Sequence, residues 1–284
     1  CRSEATAAFG SGDIYVEKLV RKARHIEIQI VGDGKTVIDL GERECTLQRR
    51  HQKVVEIAPS PTLDYAMRKR LTEAARKLAG AASYKGLGTF EFLIDTEAKN
   101  ADSAIAFMEA NPRLQVEHTV TEEVTGVDLV KTQLRIAGGA TLKEVGLTET
   151  PVPRGFAIQL RVNMERMDET GAAVPTGGVL NTFNPPSGPG IRVDTFGYAG
   201  YRTSPNYDSL LAKLIAHSPS PAYADAVARA RRALSEFQIE GVTTNLSFLQ
   251  ALMARDDVQA NEVSTGFMAE QAGELAKAEA MPGR

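Results

Sequence analysis

The chain has 284 residues, enough for one large or two ordinary domains, with 43% hydrophobic and 24% charged residues, the balance of a soluble globular protein. A net charge of −3, from 33 Lys+Arg against 36 Asp+Glu, excludes any general electrostatic pull toward nucleic acid or acidic lipid. No apolar run is long enough for a transmembrane helix, and Cys1 and Cys45 form neither a CxxC nor a disulfide framework, which suits a reducing cytoplasm.

The opening "CRSEATAAFGSGD" has no initiator Met and no signal-peptide h-region, and reads as the continuation of a longer protein. Short strands are predicted from Ile14 to Leu40: "IYVEKLV", then "HIEIQIV", a "GDGK" turn and "TVIDL". In "HIEIQI" the alternation puts His25, Glu27 and Gln29 on one face and Ile26, Ile28 and Ile30 on the other. A helix from about Thr62 to Tyr84 takes Thr62 as N-cap, with Leu63, Met67, Leu71, Ala74, Leu78 and Ala81 at helical spacing. Two β-type runs follow, "GTFEFLID" and "AIAFMEAN", joined by "TEAKNADS". The second is apolar enough for a core and passes into "PRLQVEH". Read as one extended strand, it aligns Glu109, Asn111, Arg113, Gln115 and Glu117 opposite Met108, Ala110, Pro112, Leu114 and Val116. A helix over Val127 to Ala137 ends at Gly138-Gly139. The Pro-bearing link "LTETPVPRG" marks a boundary between domains 1–148 and 149–284. Strands "FAIQLRVNM", "GVLNTFNPP" and "IRVDTFGYAGY" come next. Helices then span about Pro221 to Phe237 with Ser220 as N-cap, Thr244 to Ala254, and Ser264 to Ala276, before a frayed tail "AKAEAMPGR".

Four groups of residues can carry chemistry. Glu91 and Glu109 sit in runs that favour burial, where an ionised carboxylate is costly unless paired or metal-bound. With Asn111 they offer a hard, oxygen-only donor set that suits Mg²⁺ bridging phosphates; two solvent-facing acids on a half-exposed sheet is the other reading. In "QRRHQKVVE", Arg49, Arg50, His51 and Lys53 suit a small anion, a solvated basic turn, or a loop on nucleic-acid phosphates. Arg113 can fork onto a carboxylate or bicarbonate and Glu117 can accept a proton, or both belong to a polar edge-strand face. Arg161 is a charge inside an apolar strand and needs a partner. His25, His51 and His118 fit no zinc spacing, and neither a P-loop nor a GxSxG elbow occurs.

In this order, "RHIEIQI…GERECTLQRRHQKVVEIAPSP", "GTFEFL", "EANPRLQVEHTVTEEVTGVDLV" and "RVNMER…YDSLLAKLI" resemble biotin carboxylase, the ATP-grasp component of biotin-dependent carboxylases. The likeness runs from about residue 1 to about residue 268. Glu91, Glu109 and Asn111 are features shared by ATP-grasp enzymes, whereas "RRHQK" and "PRLQVEH" point to this family. The resemblance implies an α+β fold: the C-terminal subdomain of an ATP-grasp domain, an antiparallel sheet with helices, followed by a biotin carboxylase C-terminal α+β domain. It also implies that ATP phosphorylates bicarbonate to carboxyphosphate, and that the carboxyl group then passes to the ureido nitrogen of biotin on a carboxyl carrier.

Carried over by motif, Glu17, Lys18 and Val20 run along the adenine, with His25, Gln48 and His51 near the nucleotide. Glu91, Glu109 and Asn111 are the implied ligands of Mg²⁺ (or Mn²⁺). Lys53, Arg113, Gln115, Val116 (through its backbone) and Glu117 form the implied bicarbonate pocket, with Glu117 as base. Arg161 is implied to stabilise the enolate-like form of biotin. Implied partners are biotin carboxyl carrier and carboxyltransferase domains or subunits, in a homodimer or larger assembly, with no nucleic acid or membrane. The family's N-terminal Rossmann-like domain and most of its lid have no counterpart here, so the likeness is to a C-terminal portion that is incomplete for turnover. The expected location is the cytoplasm, with a mitochondrial or plastid one as the alternative. "MDETGAAVPTGG" is closer to carboxylases whose domains share one polypeptide. The final acceptor (acetyl-CoA, propionyl-CoA, another acyl-CoA, pyruvate or urea) is chosen by a separate carboxyltransferase. Another ATP-grasp carboxylate ligase, or a non-catalytic folding or dimerisation fragment, are the alternatives.

Overall fold

The computed structural model describes residues 1–17, 19–100, 104–167, 173–204 and 206–275. Lys18, the end of the "TEAKNADS" link, most of "MDETG" and the "AKAEAMPGR" tail lie outside the described residues. In chain order the elements begin with α1 (Arg2–Phe9), β1 (Ala23–Asp33), β2 (Val37–Arg49), β3 (Gln52–Ala58), α2 (Tyr65–Ala81), β4 (Lys85–Asp95) and β5 (Ile105–Asn111). There follow α3 (His118–Thr125), α4 (Leu129–Ala137), β6 (Phe156–Asn163), β7 (Glu165–Met167), β8 (Ala173–Pro175), β9 (Thr182–Asn184) and β10 (Ile191–Thr195). The last are β11 (Leu210–Ser218), α5 (Tyr223–Glu236), β12 (Gln238–Glu240), α6 (Leu246–Ala254), α7 (Asp256–Gln259) and α8 (Phe267–Leu275).

Eight strands form one antiparallel sheet, ordered β10-β11-β6-β3-β2-β1-β4-β5. The sheet runs unbroken across the 147–155 link, because β3 pairs with β6 in the register Val55↔Leu160. The β1–β2 turn is locked by Asp33 Oδ1, which accepts from the backbone N–H groups of Lys35 and Thr36 at 2.9 and 2.7 Å. The β2–β3 turn puts both Arg50 (φ 49°) and His51 (φ 64°) in the left-handed region, the shape of a type I′ hairpin made without glycine. Each pays some backbone strain to stand at the rim where the two strands leave the sheet.

The apolar face of β1 behaves as its alternation implies. Ile26, Ile28 and Ile30 pack with Phe90 and Phe92 of β4 under Leu71, Ala75 and Ala79 of α2. Full burial of each such Ile or Leu contributes about 1.5–3 kcal/mol. A second core lies between β6, β11 and helices α5, α6 and α8.

Several local expectations need correction. Among the described residues of "IYVEKLV" no strand forms, and Tyr15 and Val16 stand 82% and 94% exposed, with nothing described to cover their apolar side chains. The α2 N-cap is Asp64, whose Oδ1 accepts from Met67 N at 2.7 Å, rather than Thr62. The α5 N-cap is Ala222, and Ser220 instead holds Ala222 N at 3.2 Å. The run Ile105–Asn111 is no core strand, since β5 has a neighbour on one side alone and leaves Phe107 48% and Met108 47% exposed. Nor does extended chain continue to Glu117. It stops at Asn111, before Pro112 (which has no N–H to offer a ladder), turns, and starts the unexpected helix α3 at His118.

Candidate active site

Sheet register builds the site. Glu27 stands opposite Arg43 on β2 and opposite Glu91 on β4, and Glu91 in turn stands opposite Glu109 on β5. One rung across four strands thus reads Arg43, Glu27, Glu91, Glu109. Three successive carboxylates on neighbouring strands repel one another unless cations sit among them.

Lys53 of β3 supplies the first cation. Its Nζ donates to Glu27 Oε2 at 2.5 Å, Glu91 Oε1 at 3.2 Å and Glu117 Oε1 at 2.5 Å, which takes up all three of its hydrogens. Burial works against the Lys53 ammonium, but the surrounding carboxylates raise its pKa overall. Arg161 of β6 supplies the second, donating from Nε to Glu56 at 2.5 Å and from Nη2 to Glu117 Oε2 at 3.0 Å. Glu117, the N-cap residue of α3 and only 2% exposed, is therefore held between an ammonium and a guanidinium. Burial pushes the Glu56 carboxyl up, with the Arg161 charge partly offsetting it.

Burial would raise Glu91 too. Contact with His25, the Lys53 charge and the amide of Gln115 (2.7 Å) outweigh it and hold Glu91 down to about 2. His25 Nε2 lies 2.7 Å from Glu91 Oε2, the contact that helps to keep this buried carboxylate ionised. A carboxylate lowered from 4.5 to about 2 adds stability that is complete above 4.5 and disappears as pH falls toward 2. Glu91→Gln is therefore expected to flatten the loss of melting temperature between pH 5 and pH 2.5, measured by calorimetry. An acid limb as steep as that of the parent protein would place the stabilisation elsewhere.

Lys53, Glu91, Glu117 and Arg161 open onto a cavity of about 580 Å³, while Glu27 and Glu56 lie behind its lining. Its lining includes His25, Gln48, His51 and Lys53 from β1 and the β2–β3 hairpin, and Glu91, Glu109 and Asn111 from β4 and β5. Arg113, Gln115, Val116 and Glu117 line it from the turn before α3, and Arg161 from β6. Gln48 contacts His25 Nδ1 and donates to Cys45 O at 2.8 Å, fixing the histidine ring. Exposed Arg113 reaches no acidic partner among the described residues, and donates to Leu114 O at 3.4 Å. The Val116 carbonyl accepts from Lys213 Nζ at 3.2 Å. Glu17 and Val20 do not line this cavity but lie on the segment before β1, and Lys18 between them lies outside the described residues. Of the basic cluster, Arg49 pairs with Glu165 at 2.8 Å, and Arg50 and His51 occupy the hairpin tip. His118 starts α3, its Nδ1 2.8 Å from Gln115 O, and does not face the cavity.

Residues that could hold a divalent cation lie at the β4–β5 edge. Asn111 Nδ2 bridges Glu91 Oε1 and Glu109 Oε1 at 2.9 Å each, which shows that the two acids converge on one point and require a positive or donor group there. Carboxylate and amide oxygens suit Mg²⁺ or Mn²⁺. Ligand atoms of His25, Glu27 and Glu91 also lie within 4.8 Å of one another, but Lys53 already neutralises that group. Sequence reasoning missed Glu27, Arg43 and Glu56 as members of the site. The signal for Glu27 was its place between His25 and Gln29 in a strand whose other face is isoleucine.

Comparison with known proteins identifies the family. Residues 1–145 match the family model "Carbamoyl-phosphate synthase L chain, ATP binding domain", and residues 159–270 match "Biotin carboxylase C-terminal domain". The chain is 46% identical to mitochondrial pyruvate carboxylase of Homo sapiens over 94% of its own length and 22% of the relative's. It is 45% identical to a biotin carboxylase of Nostoc over 95% of its length and 58% of the relative's, so it spans only part of both. Among solved structures it superposes on the biotin carboxylase domain of a single-chain bacterial carboxylase with TM-score 0.84 and 50% identity, covering 96% of this chain and 61% of the other. It superposes on the biotin carboxylase domain of Hydrogenobacter thermophilus 2-oxoglutarate carboxylase, solved with MgADP, ADP and bicarbonate, with TM-score 0.87 and 39% identity over 98% and 59% of the two chains. With an ATP-binding model and a biotin carboxylase model matched in succession along one continuous sheet, the chain belongs to the biotin carboxylase family of ATP-grasp ligases.

Proposed function

We propose that these residues form the catalytic floor for ATP- and bicarbonate-dependent carboxylation of biotin, the first half-reaction of a biotin-dependent carboxylase. One observation carries the reading: buried Glu117 is clamped between Lys53 and Arg161 and lines the same cavity as Glu91 and Glu109. Bicarbonate sits against Lys53, Arg113, Gln115 and the Val116 backbone, and Glu117 accepts its proton. The freed oxygen attacks the γ-phosphorus of ATP, giving carboxyphosphate and ADP. Arg161, steadied by Glu56, stabilises the enolate-like ureido oxygen of biotin as the ureido nitrogen gives its proton to the leaving phosphate and takes the carboxyl group from carboxyphosphate. His25, Gln48 and His51, with Glu17, Lys18 and Val20, are assigned to the nucleotide. Mg²⁺ or Mn²⁺ held by Glu91 and Glu109 beside Asn111 would neutralise charge on the transferring phosphoryl group.

The division into 1–148 and 149–284 is kept as a division of roles, with ATP, metal and bicarbonate on the first part and biotin on the second. Biotin arrives on a carboxyl carrier, and the product goes to a carboxyltransferase in a dimeric or larger cytoplasmic assembly. The exposed Tyr15, Val16 and Leu19 and the greater length of the relatives support a requirement for more than this chain in turnover. In the protein encoded by the full open reading frame, Glu109→Gln is expected to raise the KM for Mg-ATP about tenfold or more, with a steeper dependence on free Mg²⁺. Unchanged metal dependence would return Glu109 to the sheet edge as a solvated acid.

A further inference from the structure

Arg43 does not line the cavity, yet it is the largest fully buried side chain among the described residues. All five of its N–H groups find acceptors. Nε donates to Glu27, Nη1 to Gln29 Oε1 (2.7 Å) and Thr121 Oγ1 (2.9 Å), and Nη2 to Thr89 Oγ1 (3.2 Å) and Gln115 Oε1 (3.4 Å). The acceptors lie on β1, on β4, on the turn after β5 and in the first turn of α3. Four separately folded pieces of chain thus meet on one planar fork.

Three of those acceptors lead directly to the proposed bicarbonate groups. Glu27 accepts from Lys53 at 2.5 Å, Gln115 donates to Glu91 at 2.7 Å, and Thr121 belongs to the helix that Glu117 begins. The fork reaches the proposed metal site at one point, Glu91, through Gln115, and makes no contact with Glu109, Asn111, Gln48 or His51. Resting on the bicarbonate reading above, we propose that Arg43 is a positioning residue that fixes Glu27, Gln115 and the start of α3, and through them sets Lys53 and Glu117 for bicarbonate. A lysine cannot replace it, since a compact ammonium on a flexible stem cannot hold five acceptors in one plane. A merely structural Arg–Glu pair would loosen the site as a whole. A positioning fork of this layout acts more strongly on bicarbonate than on Mg-ATP, which it reaches only through Gln115 and Glu91.

The test is steady-state kinetics of bicarbonate-dependent, biotin-stimulated ATP cleavage by the full-length protein, with Arg43→Lys and Arg43→Met. Thermal melting would accompany each assay. The expected result for R43K is a KM for bicarbonate raised about tenfold or more, with a smaller rise, of about threefold or less, in the KM for Mg-ATP. R43M, which leaves buried Glu27 to Lys53 alone, should show the larger loss. Should both fail to fold, Thr121→Val removes one acceptor at constant shape and is expected to raise the bicarbonate KM about threefold. A folded R43K (or T121V, if it alone folds) with an unchanged bicarbonate KM, or with both KM values rising in parallel, overturns the assignment. A wild-type protein whose ATP cleavage ignores bicarbonate overturns the functional reading and this inference together, which separates that failure from the first.

Discussion

Glu117→Gln in the full-length protein is expected to lower biotin carboxylation by about 10²–10⁴-fold, the range a positioned general base contributes. MgADP affinity should stay within about twofold, because the substitution removes no group assigned to the nucleotide. The amide keeps the shape of the side chain but can neither take a proton nor balance Lys53 and Arg161. Neither cation is stranded, since Lys53 retains Glu27 and Glu91 and Arg161 retains Glu56. The fold should therefore survive, and the loss is in chemistry. Transfer of labelled bicarbonate to biotin reads the rate, and calorimetric titration with MgADP reads binding. Near-normal turnover would remove Glu117 from the role of base.

The second large effect is expected for Lys53→Met. Glu27 and Glu91 face each other in register across β1 and β4, at 0% and 4% exposure, and Glu117 stands beside them. Removing the ammonium they share leaves buried like charges without their common partner, a cost of about 3–5 kcal/mol. For a chain of this size that corresponds to a melting temperature roughly 10 °C lower. The sign of the pH dependence follows from the same contacts. Lys53 helps to keep Glu27 and Glu91 ionised, so without it their carboxyls titrate higher and protonation relieves the repulsion. The gap in melting temperature between parent and variant should narrow as pH falls from 8 to 5, and carboxylation should be lost throughout. A gap that is small, or constant with pH, would show that Lys53 is not the shared counter-ion.

Much of this site was legible because antiparallel strands convert spacing into contact. Glu91 and Glu109 lie on consecutive strands, and their pairing follows once β4 and β5 are joined by a short link. The alternation in "HIEIQI" correctly separated Ile26, Ile28 and Ile30 from His25, Glu27 and Gln29. What alternation could not tell is that both faces are buried, the polar one against Arg43 and the chain around Gln115 and Thr121. The same pattern misled beyond Asn111. "NPRLQVEH" alternates polar and apolar residues, but Pro112 and the turn after it break the strand, and Gln115 and Glu117 reach the cavity from a turn and a helix N-cap instead. Arg161 was known to need a partner, and that partner, Glu56, lies 105 residues earlier, on a strand paired with its own through a register that composition does not encode. The helix caps at Asp64 and Ala222 show the smaller error, in which several capping residues compete within a few positions.

The most direct measurement is ATP cleavage in bicarbonate buffer by the full-length protein, with and without free biotin. Cleavage that requires bicarbonate and rises when biotin is added is the expected result, with Arg161→Met abolishing the rise while nucleotide binding persists. Cleavage indifferent to biotin would contradict it, assign the metal acids to another ATP-grasp carboxylate ligase, and strip Arg161 of its role.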